Sequence, residues 1–356
     1  MKSELTHRER VRLALEHRAT DRVPLTFACA EPAGAAEHDL REYLQKERGI
    51  SYEDYFGPLI DMVDFRPTYV GPPLEHDTDI WGVKRRLISH GRSTEYVHAY
   101  HPLDEAQTVD DLLSHRWPNP KWFDYSDIPG RIAAINADEE YCIYCLIGNL
   151  WEKSYYMRGF EQALVDLALH PVMLRTIMQK VTDFCIEHTR RILEAADGKI
   201  DVVFTADDMG TQEDLIMSVE SWEQHIKPFH QQQNEMIHGF GAKVMYHTDG
   251  AVMKLVPGLI DMGIDALQAL QFDANGMDPV VLKEQYGDRL CFVGGVSVQK
   301  TLPFGSVEDV QREVTGLIDI LGSGGGYILG PSHEIPADTP AENIAAMFDT
   351  AASHKV

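Results

Sequence analysis

The chain has 356 residues, of which 44% are hydrophobic and 25% are charged, and its formal net charge is −24. This composition is typical of a folded globular protein and excludes a disordered or fibrous one. The acidic balance disfavours binding to nucleic acid or to an anionic membrane, because both depend on Lys and Arg side chains that meet phosphate groups.

The N-terminal stretch MKSELTHRERVRLALEHRATDRVP contains no continuous apolar segment. We therefore expect neither a signal peptide nor a membrane span, and we expect a cytoplasmic location. The sequence leaves the oligomeric state open, a homodimer included.

Short apolar, β-branched segments alternate with longer amphipathic segments along most of the chain. Strands that alternate with helices pair in parallel, and eight such units without a flexible linker predict one (β/α)8 (TIM) barrel over residues 1–356. A doubly wound open sheet is the alternative. The predicted strands are 23–28, 62–67, 142–148, 201–206, 243–247, 265–270, 291–295 and 327–330. The predicted helices are 7–18, 158–196 with a break at His170-Pro171, 212–240, 252–262, 279–286, 307–321 and 341–352.

Residues 68–125 fit neither the strand nor the helix period. Proline and aromatic residues cluster there, as in YVGPPLEHDTDIWGVKRR and HRWPNPKWFDYSD. We interpret this stretch as an insertion, a small hairpin with loops over one end of the barrel.

Five cysteines, an odd number in a long chain, do not predict a disulfide framework. Cys142 and Cys145 form a CxxC motif inside EYCIYCLIG, which is predicted to be a buried strand. Positions i and i+3 of a strand point to opposite faces. The two thiols are therefore interpreted as small buried residues and not as ligands of one metal.

The predicted mouth of the barrel carries histidine and carboxylate side chains. The stretch VMYHTDGAV (244–252) ends a strand with His247 and Asp249, which are two residues apart and point the same way. His333 follows the strand YILG after a Gly-Pro break. We predict that these three side chains converge on a divalent ion such as Zn²⁺ and leave a fourth position open. The alternative is that each histidine is an ordinary hydrogen-bonded loop residue.

Polar groups also follow other strands. Asp207 and Asp208 come directly after VVFTA, where they either orient a ligand or act as a base, or else cap the next helix. Glu152 follows the third strand and either lines the pocket or pairs with Arg158. We assign the catalytic roles to these three acids. The candidate substrate-binding residues are Tyr246, Gln268 and Gln271.

Several stretches, distributed over almost the whole chain, resemble the uroporphyrinogen decarboxylase-like superfamily, whose members are (β/α)8 barrels. They are LTHRERVRLALEHRATDRVPLTF, DIWGVKRR, WEKSYYMRGFEQALVDLALHP, ADDMGTQEDLIMS, HTDGAV, NGMDPVVLKEQYGDRLCFVGGVSVQKTLPFGSVEDV and GGGYILGPSHEIPADTPAENIAAM.

One branch of this superfamily contains metal-free decarboxylases, in which an arginine-bearing loop after the first strand grips the carboxylates of the substrate. Here that loop is ACAEPAGAAEHD, from Ala28 to Asp39, and it contains no arginine. Without bidentate arginine partners the loop does not suit a multiply anionic substrate. The resemblance therefore favours the other branch.

The other branch contains methyltransferases that work with corrinoid proteins. In its thiol-methylating members an HxC pair and a later Cys hold zinc, with a Glu between them. The resemblance places His247 and Asp249 on HxC, His333 on the later Cys and Gln271 near the Glu. Nitrogen and oxygen ligands leave a harder, more Lewis-acidic ion than thiolates do. In this respect the sequence resembles the methyltransferases of O-demethylase systems.

The resulting hypothesis is a zinc-dependent methyltransferase that moves a methyl group from a small O- or N-methylated substrate to the corrinoid (cobalamin) of a separate partner protein. Three alternatives remain open from the sequence. They are a methyl-corrinoid:tetrahydrofolate (pterin) methyltransferase, a metal-free decarboxylase and a barrel that binds a ligand or partner without catalysis.

Overall fold

A computed structural model describes residues 5–355 of the chain. Its strands are β1 (Met62–Asp64), β2 (Thr68–Tyr69), β3 (Lys84–His90), β4 (Ser93–Tyr100), β5 (Phe123–Asp124), β6 (Cys142–Asn149), β7 (Val202–Ala206), β8 (Lys243–His247), β9 (Ala266–Ala269), β10 (Cys291–Val296) and β11 (Tyr327–Pro331). Its α-helices are α1 (His7–Leu15), α2 (Ala35–Tyr43), α3 (Tyr52–Phe56), α4 (Val109–Leu113), α5 (Ile128–Ile135), α6 (Leu150–Arg158), α7 (Phe160–Leu169), α8 (Pro171–Ala196), α9 (Val219–His225), α10 (Lys227–Gly239), α11 (Val256–Asp261), α12 (Pro279–Tyr286), α13 (Thr301–Phe304), α14 (Val307–Leu317) and α15 (Ala341–Ser353).

Seven parallel strands form one curled sheet in the order β1-β6-β7-β8-β9-β10-β11. An eighth segment closes the ring between its two edges. On one side the Thr26 N–H donates to the carbonyl of Leu329 at 3.0 Å, and on the other the Asp61 N–H donates to the carbonyl of Leu25 at 2.9 Å. The predicted TIM barrel is confirmed, although its first strand is only a short bridged segment, since Pro24 has no N–H to donate.

Two hydrophobic layers support the barrel. The inner layer includes Tyr144, Phe204 and Met245, and α1 packs Val11 and Leu15 against it. The outer layer fills the space between the sheet and the surrounding helices. Alternate residues of each parallel strand face these two layers, which explains the nearly continuous apolar runs in the sequence.

Cys142 and Cys145 illustrate this alternation. Cys142 belongs to the inner layer and Cys145 to the outer one, and both are free and fully buried. The two thiols face opposite sides of β6, as predicted, and burial raises the pKa of Cys145 to about 12.

The long predicted helices differ from the observed ones mainly at turns. The break at His170-Pro171 separates α7 from α8 as predicted. The predicted helix 212–240 begins only at Val219, because residues 210–218 form a turn bridged between Gly210 and Leu215. Six short helices were not predicted: α2, α3, α4, α5, α6 and α13. None of the helices within residues 5–355 combines the length and apolar character that crossing a membrane requires.

The insertion at 68–125 contains the predicted hairpin. Strands β3 and β4 pair antiparallel, and at the base of the hairpin the ring of His98 stacks on Tyr156 of α6 at 3.9 Å between centroids. At its tip, Arg92 forms ion pairs with Asp39 and Asp338. The hairpin therefore spans the rim of the barrel from α6 to α2 and the loop that follows β11.

The seam of the barrel depends on a buried carboxylate. Asp61 is fully buried and accepts hydrogen bonds from His7, Arg10 and Arg22, and from the backbone N–H of Leu25. Burial acts to raise the pKa of Asp61, but the hydrogen bond from His7 and the charges of Arg22 and Arg10 outweigh it and lower the pKa. One side chain thus joins α1, the first barrel segment and the start of β1.

We expect Asp61→Ala to lower the free energy of unfolding by about 3–5 kcal/mol, because it removes the buried carboxylate that Arg10 and Arg22 share. Urea denaturation at pH 7 measures this change. The matched control is Asp288→Ala, since the side chain of Asp288 is 81% exposed and its loss should cost about 0.5 kcal/mol or less.

The pH dependence provides a second check on Asp61. Because its pKa is lower in the folded state, its stabilisation is complete above the unfolded pKa of about 3.9 and disappears as the pH falls further. The difference between the wild type and Asp61→Ala should therefore shrink in acid. A difference that stays constant down to low pH would contradict this account.

Candidate metal centre

Three predicted metal ligands meet at the carboxyl end of the barrel. His247 is the last residue of β8, Asp249 follows it by two residues, and His333 lies two residues after β11. One ligand atom from each lies within 4.8 Å of the others. Asp249 bridges the two imidazoles, with 3.7 Å from its Oδ1 to His247 Nε2 and 3.4 Å from its Oδ2 to His333 Nε2.

The orientation of His247 is set by Gln268 on the neighbouring strand β9. The amide nitrogen of Gln268 donates to the carbonyl of Ala28 at 3.1 Å, so its oxygen faces His247 Nδ1 and accepts a hydrogen bond from it. Nδ1 therefore carries a proton, and Nε2 faces the carboxylates of the cluster. An outer hydrogen bond of this kind is what orients the histidine ligands of metal sites.

The electrostatic environment of the cluster favours a cation. Asp208 Oδ1 lies 3.4 Å from His247 Nε2, and Asp249 Oδ1 is buried without a hydrogen-bond partner. Burial acts to lower the pKa of His247, but Asp208 and Asp249 outweigh it and raise the pKa well above its usual value. The same two carboxylates that favour a proton on Nε2 also favour a metal ion there.

The turn after β8 holds Asp249 in place. Gly250 has a φ of +82°, and a Cβ at this position would lie 2.5 Å from the carbonyl oxygen of Thr211. The oxygen of Gln271 accepts a hydrogen bond from the Gly250 N–H at 3.0 Å, and Asp208 accepts one from the Asp249 N–H at 3.2 Å. Gln271 and Asp208 therefore support the ligand loop from two neighbouring strands.

Glu152 lies beside the cluster in the first turn of α6 and is 6% exposed. Its carboxylate accepts hydrogen bonds from Asn149 at 2.7 Å and from Tyr156 at 2.5 Å. Burial, followed by the nearby charges of Asp208 and Asp207, raises the pKa of Glu152 to about 7. Glu152 does not pair with Arg158, which binds Asp166 instead.

Asp207 lies behind the mouth and not within it. It is fully buried, and its two oxygens accept the backbone N–H groups of Trp151 and Glu152, each at 2.8 Å. His230 contacts the same carboxylate at 2.5 Å. Asp207 thus caps the start of α6, whose N-cap residue makes no side-chain cap, and so it positions Glu152.

Two of the candidate substrate-binding residues, Tyr246 and Gln268, also support the protein framework. Tyr246 is fully buried and its ring lies edge-on to His230 in the outer layer, so the structure does not place it at the mouth. The nitrogen and the oxygen of the Gln268 amide both form hydrogen bonds within the protein. Side chains alternate between the two faces of a strand, so Tyr246, which directly precedes the inward-facing His247, faces outward.

Sequence reasoning missed Tyr156 and His230. Tyr156 lies four residues after Glu152, a spacing that brings two side chains together on one face of a helix. That signal was present, but α6 itself was not predicted. His230 carries no local signal, because its partner Asp207 is 23 residues away.

The chain is a closed parallel barrel with an imidazole and carboxylate cluster at the carboxyl ends of its strands, which is where barrel enzymes carry their active sites. The family model described as uroporphyrinogen decarboxylase (URO-D) matches residues 132–354. The chain belongs to this family.

A solved structure shows the same fold. A methyltransferase from Methanosarcina mazei aligns with a TM-score of 0.67 and 18% sequence identity, over 98% of this chain and 99% of that one. A 3-keto-D-glucoside 4-epimerase from E. coli aligns with a TM-score of 0.34 and 11% identity, over 57% of this chain and 93% of that one. A comparison with curated proteins finds no match.

We expect Tyr156→Phe to raise the pKa of Glu152 above 7 in the metal-free protein, because it removes a hydrogen bond that favours the carboxylate. NMR of ¹³C-labelled glutamate measures the titration. Tyr155→Phe is the matched control, since the Tyr155 hydroxyl is 3.5 Å from Glu152 and contributes a weaker bond. An equal shift in both variants, or a downward shift in Tyr156→Phe, would contradict the assignment.

Proposed function

We propose that the protein is a metal-dependent methyltransferase that moves a methyl group from a small O- or N-methylated substrate to the corrinoid of a separate protein. The observation that carries the proposal is the convergence of His247, Asp249 and His333 at the mouth. The resemblance to corrinoid-dependent methyltransferases and the shared fold with the Methanosarcina mazei methyltransferase support it.

The three side chains fit a Zn²⁺ ion. Bonds of about 2.0–2.2 Å in a tetrahedral site place ligand atoms roughly 3.3–3.6 Å apart, and one ligand atom from each of the three side chains lies within 4.8 Å of the others. Asp249 Oδ1 is buried and otherwise unpartnered. When bound, the ion would act as a Lewis acid toward the oxygen or nitrogen that carries the methyl group.

Glu152 supplies the proton that the departing group needs. As the methyl group leaves, the bond between its carbon and the substrate oxygen or nitrogen breaks and the electron pair stays on that atom. A carboxyl group with a pKa of about 7 is partly protonated at neutral pH and can transfer its proton there. Asn149 and Tyr156 hold the carboxyl group in place for this transfer.

The residues at the mouth of the barrel support a metal-free decarboxylase less well than they support a methyltransferase. The loop from Ala28 to Asp39 contributes Cys29 and Glu31 and no arginine. Cys29 lies beside the site, because the charges of His247, Glu31 and Asp249 all influence the pKa of its thiol. A substrate with several carboxylates would meet acidic groups here.

We expect the purified protein to contain about one equivalent of zinc, measured by plasma mass spectrometry. Either His247→Ala or His333→Ala should weaken zinc binding by roughly 100-fold or more, because each removes one of three protein ligands. His76→Ala is the control, since that side chain is 99% exposed. A wild type without metal whose methyl transfer resists chelators would refute the zinc assignment.

We also expect the rate constant for methyl transfer to cobalamin to fall as the pH rises through about 7, because Glu152 loses its proton there. Glu152→Gln should reduce the rate by roughly 10²–10⁴-fold and abolish this limb of the profile. Stopped-flow absorbance with free Co(I) cobalamin measures both effects. A Glu152→Gln variant with the wild-type pH profile would exclude Glu152 as the proton donor.

A further inference from the structure

A group of basic side chains lies under the hairpin, next to the mouth. Arg85 and His98 face each other across β3 and β4 and therefore project from the same side of the hairpin. His98 stacks on Tyr156, and Lys153 Nζ lies 5.4 Å from the centroid of the same ring. We call Arg85, His98 and Lys153 the basic cluster.

The half-buried side chains of the basic cluster lack the hydrogen-bond partners that such groups normally have. Arg85 Nε and His98 Nε2 are buried and accept or donate no hydrogen bond. Among the side chains that the structure describes, none accepts a hydrogen bond from Lys153, and its only ion pair is Asp79 Oδ2 at 3.6 Å. Burial acts first to lower the pKa of Lys153, and Arg85 adds to this effect.

Asp79 does not neutralise the basic cluster. Its Oδ1 already accepts the backbone N–H groups of Trp81 and Val83. Burial, followed by the charge of Arg85, lowers the pKa of His98 to about 4, so His98 is neutral at pH 7. Asp79 Oδ2 accepts no hydrogen bond and is the counter-charge of Lys153, whereas Arg85 forms no ion pair among the side chains that the structure describes. This leaves one positive charge that a bound anion would neutralise.

We propose that the basic cluster binds a carboxylate group of the methylated substrate. A single excess positive charge matches a carboxylate, whereas a phosphate carries about −1.5 to −2 at pH 7. Arg85 offers the planar fork that carboxylates prefer. This inference rests on the proposed function, because it assigns the anion to the substrate of the mouth.

The location of the basic cluster explains why the anion would belong to that substrate. Tyr156 separates the cluster from the mouth: its ring contacts His98 and Lys153, and its hydroxyl donates to Glu152. A molecule that extends past Tyr156 therefore reaches the basic cluster with one end and the proposed proton donor with the other. The hairpin would select substrates by the anion that it binds.

Isothermal titration calorimetry with benzoate tests the proposal on the full chain. We expect the wild type to bind benzoate and Arg85→Gln to bind it about tenfold more weakly, or worse, because a charged hydrogen-bond partner is lost. Arg86→Gln is the matched control, since Arg86 is exposed on the opposite face of the same strand. Benzamide, the neutral analogue, should bind to neither protein.

Binding must be separated from a direct contact of benzoate with the metal. The titrations are therefore repeated after chelation and with His333→Ala, in which we expect benzoate to bind as in the wild type. Binding that disappears in both cases would overturn the inference, as would equal affinity in Arg85→Gln and the wild type. Inorganic phosphate that binds more tightly than benzoate would overturn the assignment to a carboxylate.

Stability provides a readout that a purely structural role would not reproduce. Without benzoate, Arg85→Gln should melt at or above the temperature of the wild type, because it relieves repulsion with Lys153. With benzoate, the melting temperature should rise only in the wild type. These results do not require turnover, so a protein that binds benzoate through Arg85 but transfers no methyl group would refute the proposed function alone.

Discussion

Closure of the barrel at the Asp61 seam is the constraint on which the rest of the structure depends. The buried carboxylate holds α1, the first segment and the start of β1 together through His7, Arg10 and Arg22. Closure of the barrel brings the loop after β11, which carries His333, close to the end of β8, which carries the other ligands. Because β9 and β10 lie between β8 and β11, His333 meets His247 and Asp249 only because the sheet curls.

Neighbouring strands hold one another's functional groups in place. Gln268 on β9 orients His247 on β8, and Asp208 after β7 supports the backbone of Asp249. Asp207, beside it, caps α6 and so positions Glu152. The site is therefore built by contacts between the segments that follow successive strands. These contacts hold its side chains rigidly although they lie in loops. The insertion contributes Arg85 and His98 to the basic cluster, and α6 contributes Lys153.

The sequence predicted the barrel and the convergence of three ligands because both follow local rules. Parallel strands show as apolar runs, and residues at their carboxyl ends share one edge of the sheet. The same rules do not decide the direction of Asp207 and Tyr246, which depends on the layer that each side chain faces. They also failed for α6, whose start is capped by a residue 55 positions away along the chain.

By itself, then, the sequence determined the alternation of strands and helices, the buried state of Cys142 and Cys145, and the residue types available at the strand ends. Only the tertiary structure decided which of those polar groups share a cavity and which support the framework. The physical reason is that hydrophobic periodicity is a local property of the sequence. Hydrogen-bond partners such as Gln268 and Ala28, which are 240 residues apart, meet only after the ring has closed.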